Sequence, residues 1–228
     1  MNIGIIVAMS KELELLKPML EGTTQTVING KSFLSGTMDK HKVTVMQCGI
    51  GKVNAAIGTV EMINNFHPSL IINTGVAGGM NGVNVMDLVV GSQVCYHDVW
   101  CGFDKTTQQG QVQGLPLYFD GDSTVISKID DNDSSVHCGL IVSGDQFIDS
   151  GEQVAKISKA FPRALAVDME SGAIAQVCHV MKTPFVSMRV ISDSPGAGHN
   201  NTRQYYDFWT EAPAHTLAAV RQLLSKLD

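Results

Sequence analysis

Short apolar runs recur along the chain at Ile3 to Val7, Val43 to Met46, Leu70 to Asn73, Leu88 to Val94, Leu140 to Ser143 and Pro184 to Ile191. Several are separated by segments whose apolar residues repeat at helical spacing. Continuous apolar runs of this kind read as strands buried on both faces. Their alternation with helices means an α/β protein with a central, mostly parallel, twisted sheet flanked by helices, because parallel neighbours need a crossover long enough to hold a helix. With 228 residues, 44% of them hydrophobic, the chain can bury one sizeable core, and a single domain over residues 1–228 is expected.

Three carboxylates, Glu12, Glu170 and Asp193, fall just past such runs. In open α/β sheets ligands bind outside the carboxyl ends of the strands, so these acids are expected to meet in one crevice, where they would suit proton transfer. Each also has a plainer explanation. Ser10 is expected to cap a first helix that puts Leu13, Leu16 and Leu20 on one face, and an acid in its first turn favours the helix dipole in any protein. Asp193 could cap the following turn. Glu170 could open a solvated helix that carries Ala173, Ile174, Val177, Cys178 and Met181 inward, and Met169 could be core. What favours chemistry is the local sequence. Ala166-Val167-Asp168-Met169-Glu170 and Arg189-Val190-Ile191-Ser192-Asp193 set charge beside apolar strand ends, where burial normally forbids it.

Other classes lose ground on composition. A net charge of −6 opposes a phosphate-backbone footprint, so no nucleic-acid partner is expected. Ile3 to Met9 lacks a basic leader and runs into Ser10-Lys11-Glu12, which reads as a first strand rather than a signal peptide, and no apolar run approaches membrane-spanning length. Five cysteines without a C-x-x-C pair read as reduced residues of a cytoplasmic protein. The seven histidines show no metal-binding spacing, so no metal and no cofactor are expected. The turns Gly49-Ile50-Gly51-Lys52 and Thr74-Gly75-Val76-Ala77-Gly78-Gly79 would let backbone amides approach a ligand, but neither is a dinucleotide or P-loop fingerprint. Ser194 to Thr202 is rich in turn formers and is either a mobile flap or an ordinary surface loop. Pro213 opens an expected last helix through Leu217, Val220, Leu223 and Leu224.

Gly4-Ile5-Ile6-x-Ala8-Met9-x-x-Glu12, Gly49-Ile50-Gly51-Lys52-Val53, Tyr96-His97-Asp98, Ser143-Gly144-Asp145-x-Phe147-Ile148, the V-D-M-E run and the R-x-I-S-D run together resemble the 5′-methylthioadenosine/S-adenosylhomocysteine nucleosidases. The resemblance implies a three-layer nucleoside phosphorylase-like fold, a homodimer, and hydrolysis of the bond between adenine and a 5′-thio-substituted ribose, with 5′-deoxyadenosine a further substrate. It implies that Glu12 activates water, Asp193 passes a proton to N7 of adenine, Glu170 holds the ribose hydroxyls and Arg189 orients the water. It further implies that Phe147 stacks on adenine, the Ile148 backbone reads its edge, Met169 packs under the ribose, and Met9, Val76, Ala77, Gly78 and Ser192 line the site. Tyr205 is the expected aromatic lid, with Phe208 second. Asp is normally ionised at neutral pH, so a donor Asp193 needs either desolvation or a proton captured together with the base.

Two departures bear on this expectation. Val76 stands where many relatives have serine, which removes a hydroxyl and shifts water positioning onto backbone amides, Glu12 and Arg189. The stretch Trp100 to Phe103 differs from the family segment that completes the neighbouring subunit's 5′-substituent pocket, which leaves the preference among thio-substituents open. The rivals are a purine nucleoside phosphorylase, a futalosine hydrolase and a non-catalytic nucleoside-binding protein. The phosphorylase is disfavoured because the chain has no arginine before Arg163 to clamp a phosphate dianion, and Glu12 would repel it, although Lys52 speaks weakly for it.

Overall fold

A computed structural model of the chain describes residues 1–102, 106–129, 133–196, 201–211 and 213–227. Phe103 and the flap stretch 197–200 fall outside the described residues. β1 (Asn2–Val7) runs parallel between β4 (His41–Gln47) and β5 (Leu70–Gly79), and β5 runs parallel to β10 (Phe185–Asp193). β10 is antiparallel to β6 (Leu88–Tyr96), β6 is parallel to β8 (Val136–Ser143), and β8 is parallel to β9 (Ala164–Asp168). β9 then returns antiparallel to β5, with Val167 opposite Gly78. The strands β5, β10, β6, β8 and β9 therefore close into a ring, from which β1, β4, β3 (Lys31–Met38) and β2 (Glu21–Ile28) extend as a wing, while β7 (Phe119–Asp120) pairs with β6. Helices flank the sheet as expected, and its central pairings, β1 with β4 and β5, β5 with β10, and β8 with β6 and β9, are parallel. Antiparallel contacts appear where the ring closes and where β2, β3 and β4 follow one another through short turns.

The period-two alternation of β1 builds the layers. Ile3, Ile5 and Val7 face one side with Leu70 and Ile72, where they are covered by Leu16 of α1 (Ser10–Leu16) and by Val220, Leu223 and Leu224 of α7 (Pro213–Lys226). Ile6 and Ile71 face the other side, beneath Ala55 and Met62 of α2 (Lys52–Phe66) and Ala173 and Ile174 of α5 (Ser171–Met181). A third apolar cluster lies under α4 (Gly151–Ala160), while α3 (Ser123–Ile126) is a single short turn. α6 (Asn201–Glu211) lies on β10 through Phe208, which is buried with Val190. Of the inward residues expected on α5, Ala173, Ile174 and Cys178 are buried and Val177 and Met181 half-buried.

The β2–β3 hairpin and β9 were not among the expected strands. All of β2 except Ile28 is exposed, so it carries no apolar run. Its signature is the pair Asn29-Gly30, whose φ angles of 50° and 78° suit the mirror-image turn that joins hairpin strands. No described helix is long and apolar enough to cross a membrane.

Candidate active site

The parallel strands β1, β5 and β10 end on the same side of the sheet, and the antiparallel pairing of Gly78 with Val167 brings the end of β9 to that edge. The first helical turn after β1 presents Glu12, which is 2% exposed. Its Oε2 accepts the N–H groups of Ala8 and Met9, each at 2.9 Å, and its Oε1 accepts that of Val76 at 3.2 Å. The helix cap is Met9 rather than the expected Ser10. Glu12, at the third helical position, reaches back to the free amides of Ala8 and Met9 before its own helix, as the acidic residue of a capping box does.

Arg189 of β10 is 1% exposed and rests on a polar bed. One of its Nη atoms donates to Asn73 Oδ1 at 2.6 Å, lies 2.7 Å from Asp168 Oδ2 and reaches Ser171 Oγ at 3.1 Å. Ser171 in turn bonds Asp168 and Ser187. The guanidinium lies 3.7 Å from Glu170 Oε2, and Glu170 Oε1 accepts the Gly51 N–H at 3.0 Å. Gly75 lets the ends of Glu12 and Arg189 approach across β5. It sits at φ 152°, and a Cβ there would come within 2.7 Å of Arg189 Nη1 and closer still to Glu12. At Asp193 the Ser192 hydroxyl lies 2.7 Å from Oδ1 and 3.3 Å from the Ala77 carbonyl.

Acids outnumber cations here, and burial acts on each. Desolvation raises the Glu12 carboxyl above its ordinary 4.5, against the pull of Arg189 and three amides. Desolvation also pushes Glu170 up to about 7, with Arg189 opposing and Asp168 adding to the rise. Burial works against the Arg189 charge, but Asp168, Glu170 and Glu12 more than offset it and keep the guanidinium protonated.

These groups line one pocket. Glu12, Glu170, Asp193 and Arg189 share its walls with Met9, Val76, Ala77, Gly78, Phe147, Ile148, Met169, Ser192 and Tyr205, so the expected catalytic acids, their arginine and these expected lining residues face the same space. Tyr205 on α6 meets Phe147 edge to face at 5.9 Å and sets its hydroxyl 3.1 Å from the Met9 sulfur. Phe208 points away from the pocket into the core beneath α6. Asn73, Ser171 and Ser187 were missed, and Asp168 was noted only as a charge beside a strand end, not as the partner of Arg189. Polar residues in the middle of apolar strand and helix runs, such as Asn73 and Ser187, were the available signal. Lys52, the one feature that favoured a phosphate site, is occupied. Its ammonium is 2.9 Å from both oxygens of Asp98.

The sequence profile described as the phosphorylase superfamily matches residues 2–225. The 5′-methylthioadenosine/S-adenosylhomocysteine nucleosidase of Staphylococcus aureus (strain MRSA252) is 40% identical over 233 residues, covering 99% of this chain and 100% of that protein. Among solved structures, the nucleosidase of that name from S. pneumoniae, with a transition-state inhibitor, superposes with a TM-score of 0.94 at 34% identity and covers all of both chains. The corresponding structure from Neisseria meningitidis, in complex with methylthio-immucillin-A, has a TM-score of 0.93 at 37% identity, with 99% of each chain covered. Strand-end carboxylates gathered around one buried arginine, on a fold shared from end to end with these proteins, place the chain in the phosphorylase superfamily, among the 5′-methylthioadenosine/S-adenosylhomocysteine nucleosidases.

Proposed function

We propose that this protein hydrolyses the N-glycosidic bond of 5′-methylthioadenosine and S-adenosylhomocysteine, and of 5′-deoxyadenosine, releasing adenine and the 5′-substituted ribose. The observation that carries this reading is Glu12. It is a buried carboxylate aimed into the pocket by three backbone amides, and burial raises its carboxyl above the ordinary value, which makes it a better proton acceptor when ionised. Cleavage passes through an oxocarbenium-like state in which the base leaves with the bonding electrons while water arrives on the opposite face of the sugar. Glu12 takes the proton of that water. Asp193, steadied by Ser192, delivers a proton to N7 so that adenine leaves neutral. Glu170 accepts the ribose hydroxyls, Arg189 steadies the carboxylates and the water, and Phe147 with Tyr205 encloses the base and the 5′ side.

Water rather than phosphate fits as nucleophile, because a dianion would meet Glu12 and Glu170, while Arg189 and Lys52 are already paired. We further propose that the single domain works as a cytoplasmic homodimer. Val53, Ile57 and Val60 form an exposed apolar stripe on α2, Ile50 continues it to the pocket rim, and Trp100 is 68% exposed. A second copy covering that stripe would close the open side of the pocket with its Trp100 to Phe103 segment. The test is adenine release from methylthioadenosine in phosphate-free buffer, repeated with phosphate. Release without phosphate is expected. Release only with phosphate, or in neither buffer, overturns the reading.

A further inference from the structure

Among the described residues outside the catalytic groups, Lys52, Asp98 and Asp145 form a further cluster of charges. Lys52 begins α2, and its ammonium bonds both oxygens of Asp98 at 2.9 Å and lies 3.9 Å from Asp145 Oδ2. The Lys52 main-chain N–H donates to Asp145 Oδ1 at 2.8 Å, and the Asp145 N–H donates to Asp98 Oδ2 at 2.9 Å. The ammonium also sits 5.2 Å above the ring of Tyr96, whose hydroxyl bonds Gln176 of α5. One lysine and two aspartates thus tie together three segments distant in sequence: the turn before α2, the end of β6 and the loop after β8.

Two of the three tied segments carry walls of the pocket, the turn before α2 through Ile50 and the loop after β8. The residue before Lys52 is Gly51, whose N–H holds Glu170 at 3.0 Å. The residues after Asp145 are Gln146, Phe147 and Ile148, all of which line the pocket. We infer that Lys52, Asp98 and Asp145 form a clamp that sets the spacing between the ribose-holding carboxylate Glu170 and the base-stacking ring Phe147, which makes Lys52 a positioning residue for substrate binding. Although burial opposes its charge, Asp98 is held ionised below its ordinary range by Lys52 and the Asp145 amide, so the clamp stays closed at neutral pH. Glu12 and Arg189 are fixed by separate partners, the amides of Ala8, Met9 and Val76 and the side chains of Asn73 and Asp168. Opening the clamp should therefore weaken grip on the substrate more than it slows bond cleavage.

The functional part of this inference rests on the nucleosidase reading, so its test pairs kinetics with a measurement on the ligand-free protein. In Lys52→Met, amide hydrogen exchange over residues 49–52 and 144–148 should quicken, KM for methylthioadenosine should rise about tenfold or more, and kcat should change by less than about threefold. Lys52→Arg, which keeps a cation able to fork onto Asp98, should restore KM to within about threefold of the parent. Asp98→Asn should reproduce the Lys52→Met effect and carries the test if that variant does not fold. Unchanged exchange in both segments overturns the clamp. Quickened exchange with unchanged KM, or a fall in kcat alone, overturns its positioning role. A parent protein without turnover would defeat the nucleosidase reading, and the exchange data would still decide whether the clamp exists.

Discussion

Replacing Glu170 by Gln should make the protein more stable at alkaline pH while weakening its function. Glu170 is 5% exposed, and burial pushes its carboxyl from 4.5 up to about 7, net of the attraction of Arg189. Between those values the folded protein keeps a proton that the unfolded chain has released. Stability therefore falls as pH rises through that window, and the penalty is complete above the folded value. An interval from 4.5 to about 7, at about 1.4 kcal/mol per pH unit, amounts to about 3 kcal/mol. Gln keeps the size of the side chain and an oxygen for the Gly51 N–H, but has no charge to desolvate. In urea unfolding, the variant and the parent should lie within about 1 kcal/mol of each other near pH 5, with the variant about 2–3 kcal/mol more stable near pH 8. Its adenine release should fall, because an amide is a weaker acceptor for ribose hydroxyls than a carboxylate. Identical pH dependence in the two proteins would refute the burial argument. A variant less stable at pH 8 would mean that pairing with Arg189, 3.7 Å away, outweighs desolvation.

Glu12→Gln should lower adenine release by about 10²–10⁴-fold, and because its amide nitrogen must face a backbone N–H, urea unfolding should register a loss of about 1–3 kcal/mol. Since burial raises the Glu12 carboxyl and only its ionised form accepts a proton, the acid limb of kcat/KM should lie above 4.5, and a limb at or below that value would contradict the assignment. Asp193→Asn should cost about 10²-fold or more in the rate of adenine release, because the amide still accepts the Ser192 hydroxyl but cannot give up an acid proton, and parent-like turnover would contradict the assignment. Gly75→Ala should abolish most turnover and lower the melting temperature, since its methyl group would stand between Glu12 and Arg189; parent-like kinetics would show that the two need not approach.

Much of the site was legible because its chemistry violates a local rule. Charges directly after apolar runs at Glu12, Glu170 and Asp193 are costly to bury, and linear sequence alone marks them as exceptions. The supporting bed was less visible. Asn73, Ser171 and Ser187 are small polar residues that look like ordinary tolerance in a strand or helix start until Arg189 is seen to bond the first two, with Ser187 bonded to Ser171 behind them. Lys52 was misweighted for the same reason, because its role depends on Asp98 and Asp145, which arrive from other parts of the chain.

The sequence by itself determined the α/β class, the strand runs of β1, β4, β5, β6, β8 and β10, and the acids Glu12 and Asp193 that follow the first and end the last of them, since hydrophobic period and local charge are properties of neighbouring residues. Only the tertiary structure decided that the sheet closes through β9 onto β5, that the β2–β3 hairpin forms the exposed end of the wing, and that Phe208 serves the core while Tyr205 faces the pocket. Those outcomes depend on which distant surfaces meet. Pairing partners and the direction of a side chain are set by long-range burial and hydrogen bonding, which no short window of sequence contains.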